Sequence, residues 1–250
     1  MKSRILPTVK LKHLDIITKQ EVDHAEVMTK ILGYKNNWFT RKWRFVKTFK
    51  LAFLLSKEIR DIDPQTLVYD EACDIKKPSN IDFISFQAMM ELQSTLGAAD
   101  GKSDMAQLAA QVIAITCYSD NHEGDYKSDG KEFAKFKQRI LNSSFKQMFG
   151  LFNWIVQDAT RSSDEWSQRF FSVELEDKEY EMAGGSRMSQ FNVILSIKSV
   201  CADFNLPFKD AWQLSYNLVQ TNSYAKATQN HIQDNMRQIK EAKMKAQRTD

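Results

Sequence analysis

The sequence predicts a mainly α-helical protein: a single helical body with a short N-terminal arm and a long C-terminal helix. Three observations predict it. Apolar residues recur at three- and four-residue steps in one segment after another, the spacing of a helix with one buried face. Gly33, Gly97 and Pro207 punctuate those segments where helices end or begin. Alternation of apolar and polar residues, the mark of a half-buried strand, is clearest near the N-terminus, where Val9, Leu11 and His13 alternate with Lys10 and Lys12.

Taken in order, residues 1–20 form the arm, with one short strand that would pair only within an assembly. From Glu21 the pattern is helical through Val22, Ala25, Met28, Ile31 and Leu32, ending near Gly33. Lys35 to Arg60 is both basic and aromatic, with Phe39, Trp43, Val46, Phe49 and Phe53 on one side of a helix. Asp61 to Lys77 reads as a loop containing a short strand at Thr66 to Tyr69. A helix over Ile81 to Leu96 uses Phe83, Phe86, Met90 and Leu92. The next, Ser103 to Tyr118, has apolar residues around much of its circumference and is the expected centre of the core.

After a polar loop, Lys131 to Leu141 is amphipathic through Phe133, Phe136 and Ile140. Ser144 with Gln147, and Ser162 with Glu165, read as capping boxes that open two separate helices. Val173 to Met182 is an acidic connector or exposed strand, closed by Gly184 and Gly185; Ser186 then caps a helix on which Phe191, Ile194, Leu195, Lys198 and Cys201 mark the turns. Asn205 breaks it, and Pro207 suits the first turn of the final helix because its missing N–H would have no partner there. By sequence the chain divides into an arm (1–20), a helical body (21–204) and a C-terminal helix (205–250), the helix docked in its first half and projecting in its second.

Composition narrows the function classes. With 42% apolar and 27% charged residues the chain is ordinary for a globular protein, and a net charge of +3 does not by itself mark a nucleic-acid binder. Cys73, Cys117 and Cys201 are odd in number and far apart, without the spacing of a disulfide framework or a zinc site, so reduced thiols in a cytoplasm are expected. Apolar runs such as Leu51 to Leu55 are far shorter than the roughly 20 residues that span a bilayer. No membrane span is expected.

Motifs that carry chemistry are weak here. Asp120 to Gly130 superficially resembles a calcium loop, but Lys127 occupies a ligand position and Phe136 falls where a bidentate glutamate is required, so it reads as a solvated turn. The histidines lack metal spacing, and His231 near Asp234 reads as a helix-surface pair. No serine sits in a nucleophile motif, and Gly184-Gly185-Ser186-Arg187 lacks the pattern of a phosphate loop. These residues give no catalytic group, metal ligand or cofactor, and a non-enzyme is expected. Segment 35–60 keeps a second reading: Arg41, Arg44 and Lys47 on phosphates with Trp38 and Trp43 stacked on unpaired bases would make a nucleic-acid surface. The preferred reading of the same residues is an amphipathic helix whose aromatics enter the core and whose lysine stems cover its rim, with a membrane-surface helix as a lesser alternative.

The C-terminal segment is the most specific. Ala211, Trp212, Ser215, Tyr216, Leu218 and Val219 make a face suited to docking, whereas beyond Ser223 apolar residues thin to Ile232, Met236 and Ile239 among polar ones. So narrow a stripe fits the seam of a helix pair, or else a solvated terminal helix. Trp212, Tyr216, Ile232, Met236 and Ile239 are therefore the candidate interface residues.

From Met188 to Lys243, and most clearly in Pro207-Phe208-Lys209-Asp210-Ala211-Trp212-Gln213-Leu214-Ser215-Tyr216-Asn217-Leu218, the chain resembles the helical neck, connector-ring and tail-assembly proteins of tailed bacteriophages. The resemblance implies a virion protein assembled in the host cytoplasm, or a chaperone of tail assembly. It implies a homo-oligomeric ring around a DNA channel, with portal or tail subunits as partners and DNA at most passing nearby. It also implies that Glu174 to Glu181 would face the channel and that Lys/Arg clusters would bind acidic neighbours.

Overall fold

A computed structural model of the chain describes residues 9–13, 27–31, 66–98, 104–123, 126–171 and 192–249. Among these the protein is mainly helical: α1 (Phe86–Gly97), α2 (Met105–Asn121), α3 (Lys131–Leu141), α4 (Phe145–Phe171), α5 (Asn192–Phe204), the single turn α6 (Phe208–Ala211) and the long α7 (Tyr216–Thr249). The described residues contain isolated bridges, Lys10 with Ser144 and Ser85 with Ser215, but no named strand. By packing, the chain forms two compact units, one of Met1–Ser79 with Ala88–Asp158 and one of Asn80–Gln87 with Ala159–Asp250. Helices α1 and α4 each contribute residues to both.

The first unit is built around α2. Asp104 starts this helix by accepting from the N–H groups of Ala106 and Gln107 at 2.9 and 3.2 Å, which satisfies two of the donors a helix start leaves open. Ala109, Ala110 and every residue from Val112 to Tyr118 are buried, so the helix is enclosed on most sides as its sequence predicts. Burial of Val112, Ile113 and Ile115 contributes roughly 2 kcal/mol for each side chain. Phe133 and Phe136 of α3 pack with Tyr118, and Tyr126 meets Phe133 edge-on at 5.9 Å. The loop before α3 is held by a polar clamp: the phenol of buried Tyr126 donates to Glu91 at 2.6 Å and the Ser128 hydroxyl donates to the other carboxylate oxygen at 3.0 Å.

Residues 66–77 form a strap with a turn at Asp70–Cys73, pinned within this unit. Gly150 lies so close to the strap that a Cβ there would overlap the Val68 carbonyl. Asn153 donates to the Leu67 carbonyl at 3.0 Å, and the Asn121 amide brackets Lys76, accepting from its N–H and donating to its carbonyl. The Lys77 ammonium sits 3.9 Å from the centre of the Trp154 ring. Val68 nonetheless points outward, 80% exposed.

Several expectations are corrected here. The N-terminal alternation is real, with Val9, Leu11 and His13 buried, but Leu11–His13 is a short 3-10 turn, and Val9 and Leu11 bond to Phe145 and Ser143 of the same chain instead of awaiting a neighbour. Among the described residues, Thr66 to Tyr69 is not a strand. The helix expected over 81–96 is a 3-10 turn (Ile81–Phe83) followed by α1, because Ile84 and Ser85 are drawn into extended backbone by the bridge to Ser215; Phe83 is consequently exposed.

A helix does begin just after Ser144, at Phe145, but neither capping box forms. Gln147 reaches the Ala72 carbonyl at 3.4 Å instead of returning to Ser144. Ser162 lies in the middle of α4, which runs unbroken to Phe171, and donates to the buried Asp82 carboxylate while Glu165 pairs with Arg161. A buried carboxylate needs a donor, and Ser162 supplies it. Residues 27–31 are a single π-helical turn with Val27 buried. The acidic connector, the Gly184-Gly185-Ser186-Arg187 turn and segment 35–60 lie outside the described residues.

Two predictions follow from the first unit's packing. Gly150→Ala forces the strap away from α4 and costs about 1–3 kcal/mol, read as a lower urea midpoint; an unchanged midpoint would show that the strap is not pinned there. Burial, the hydrogen bond to Glu91 and the charge of Glu91 hold the Tyr126 phenol above its ordinary value of 10.0, favouring the neutral form in the folded state. Its contribution is complete below pH 10 and lost as pH rises above that toward the folded value. Tyr126→Phe should cost about 1.5–3 kcal/mol at neutral pH, a deficit that shrinks above pH 10 in unfolding titrations of the two chains.

Candidate partner interface

The second unit contains the C-terminal segment. Asn205 ends α5 in the left-handed conformation (φ 50°), and the N–H of Leu206 turns back to the Cys201 carbonyl at 3.1 Å. Left-handed backbone is the usual helix stop, and asparagine tolerates it. Pro207 then precedes the single turn α6, not the final helix, which begins nine residues later at Tyr216. The interruption has a physical cause in the Ser85–Ser215 bridge. Phe86 and Gln87, the first N–H groups of α1, donate to the carbonyls of Leu214 and Trp212 at 2.7 and 3.1 Å, and Tyr216, the first of α7, donates to Ile84 at 2.9 Å. Each helix start is thereby satisfied by the backbone preceding the other.

Ring contacts fix the same junction. Phe86 lies 5.5 Å from Trp212 and 6.0 Å from Tyr216, centre to centre. Tyr216 and Val219 are buried and Trp212 half-buried. Of the five candidate interface residues, Tyr216 is buried and Trp212 half-buried, both packed against Phe86 within their own unit. The aromatic character that singles them out in the sequence serves the anchor.

Above the anchor α5 and α7 pair. The Asp203 carboxylate accepts from Asn222 at 2.8 Å and from Lys226 at 2.6 Å, and Lys226 also reaches the Ser199 hydroxyl. Contacts descend in α5 as they ascend in α7, so the helices run antiparallel. With the common helical rise, Val193 comes level with Ile232. On α5 the buried face is Ile197 and Val200, not the Ile194, Leu195 and Lys198 side expected, and Val193, Ile194 and Leu195 are exposed. Packing against α7 chooses the face.

Beyond that level Ile232, Met236 and Ile239 remain 52, 52 and 55% exposed. Two helices thus bring apolar side chains to one height, the end of the pair remote from the 205–215 connection. Val193 to Leu195 are absent from the candidate set because three consecutive apolar residues on a helix cannot be assigned to a face before its packing is known. His231, expected beside Asp234, has its Nε2 3.0 Å from the Asn235 amide, while its buried Nδ1 has no partner among the described residues.

Chemistry elsewhere is sparse. No group of three His, Cys, Asp or Glu side chains converges as for a metal ion among the described residues. Burial pushes the thiols of Cys73 and Cys117 up, which suppresses the reactive thiolate. Among the described residues no helix is long and apolar enough to cross a membrane. Trp38, Arg41, Trp43, Arg44 and Lys47, the nucleic-acid candidates, lie outside the described residues. No protein-family model, curated protein or solved structure matches the chain.

Asp203 gives a pH test of the helix pair. Hydrogen bonds from Lys226 and then Asn222 hold its carboxyl below the ordinary value of 3.8. The stability it contributes is present above that value and disappears as pH falls through the lower folded one. Asp203→Asn should melt below the wild-type chain at pH 7, with the two melting temperatures converging in strong acid; a constant gap would detach the effect from ionisation.

Proposed function

We propose that the protein is a non-enzymatic structural or assembly component of a bacteriophage particle, a head–tail neck or connector-ring subunit or a tail component, acting through protein–protein contacts. The observation that carries the contact reading is α7: a 34-residue helix anchored at its start, then showing an apolar stripe to solvent far beyond its anchor. Isoleucine and methionine at three- and four-residue steps on an otherwise polar helix match one side of a helix pair. The phage setting rests on the resemblance of Met188 to Lys243 to neck and tail-assembly proteins, which also carries the expectations of a homo-oligomer, of portal or tail partners and of residence in the virion.

Met236→Asp combined with Ile239→Asp tests the contact. Both side chains are about half exposed, so the variant should retain its helical circular dichroism and melting temperature while losing self-association, or its complex with a portal or tail subunit, in sedimentation velocity. Unchanged assembly, or a wild-type chain that is strictly monomeric and takes no protein partner, would remove the reading. The setting is tested separately, by whether the chain co-sediments with purified phage particles.

A further inference from the structure

We propose that α7 pairs with α7 of a second copy, the two helices antiparallel and related by a two-fold axis between Asn235 and Met236. The inference rests on the self-association proposed above and names its partner segment and geometry.

The face that α7 turns to solvent carries the argument. At about 100° per residue, Leu218, Ala225, Ile232, Met236 and Ile239 fall within about 60° of one another around the helix. All are exposed. Buried Tyr216 lies roughly 160° round from Ile232, so this face is turned away from the helix's own unit. Leu218, Ala225, Ile232 and Ile239 recur at every seventh position, the repeat of a two-helix seam. Charge stays off the seam over residues 225–239: Lys226, Asp234 and Arg237 each lie roughly 120° or more from Ile232. Its flanks are Thr228, Gln229 and Asn235. A partner helix must be equally uncharged along its own seam, since a facing charge would lose water and gain no opposite charge. The α7 of a second copy meets that requirement.

Direction follows from Lys243, which is exposed and only about 20° round from Ile232. Parallel helices in register would set each Lys243 against its own copy, a like-charge contact in the seam. With the axis between Asn235 and Met236, Lys243 instead comes level with Thr228 of the second copy. Ile232 then faces Ile239 of that copy, and the two Met236 side chains meet beside the axis. The stripe suits this arrangement because it reads alike in both directions: isoleucine, methionine, isoleucine. Ile232, Met236 and Ile239 expose on the order of 300 Å², the size of a small interaction patch. A lasting interface covers about 800 Å² on each partner, so the pair is weak and reversible. A two-fold contact closes on itself; it yields a dimer, and a ring requires a further contact.

Sedimentation velocity of the full chain over a range of concentrations tests the pairing, with Ile232→Glu in one variant and Ile239→Lys in another. Both positions are half exposed, so each variant should keep its helical circular dichroism and lose at least about tenfold in association. An equimolar mixture should regain it, because the new carboxylate of one copy faces the new ammonium of the other while the remaining isoleucines face each other. Regain also shows that both variants are folded. Parallel helices would set each new charge against an isoleucine, so a mixture of helical variants that stays dissociated overturns the proposal and leaves self-association intact. Association of either variant alone at wild-type strength does the same, by moving the contact elsewhere. A wild-type chain that stays monomeric at every concentration overturns both; if Ile232→Glu then abolishes a complex with a portal or tail subunit, the stripe belongs to that subunit.

Discussion

Three helices of this chain start at a serine followed by a buried aromatic residue: Ser85–Phe86, Ser144–Phe145 and Ser215–Tyr216. At each start the first helical N–H is satisfied by a carbonyl from a distant part of the chain, Leu214 for Phe86, Val9 for Phe145 and Ile84 for Tyr216. A helix leaves its first N–H groups open, and burying them without partners is costly. Here the solution joins segments far apart in sequence, so formation of the helix start and formation of the tertiary contact are one event. The aromatic ring then enters the core at the only end of the helix that is already fixed.

That constraint shapes the C-terminal segment. Without the Ser85–Ser215 bridge, nothing in Pro207 to Leu218 except Pro207 itself would prevent one continuous helix. With it, the chain makes one turn of α6, gives the carbonyls of Trp212 and Leu214 to the start of α1, and begins α7 in a direction set by Phe86. The Asp203 pairings with Asn222 and Lys226 extend this control along the helix, and Ile232 lies six residues past Lys226. Anchor and surface are thus successive stretches of one helix, distinguished by whether a partner from the same unit is present.

Legibility in the sequence follows the range of the cause. The enclosed character of α2, the amphipathic α3 and the stop at Asn205 were readable, because each depends on residues within a few turns. Of the two serine-based signals, Ser144 does stand at a helix start, whereas Ser162 misleads because the same residue pattern is compatible with a serine inside a helix, where Asp82, 80 residues away, holds it. The Tyr126–Glu91–Ser128 clamp, the strap under Gly150 and the exposure of Val68 carry no sequence signal, since each depends on a neighbour more than 30 residues distant or on a bare Cα approach.

By itself the sequence determined that the protein is mainly helical, where most helices lie, and that the last helix carries a sparse apolar stripe, because helix formation and amphipathic spacing are properties of adjacent turns. The tertiary structure alone decided that Tyr216 is buried and Trp212 half-buried while Ile232, Met236 and Ile239 face water, and that Val193 stands level with Ile232. Burial is decided by what arrives from elsewhere in the chain. Phe86 arrives at the first pair, and Asp203 and Ser199 leave the last three uncovered.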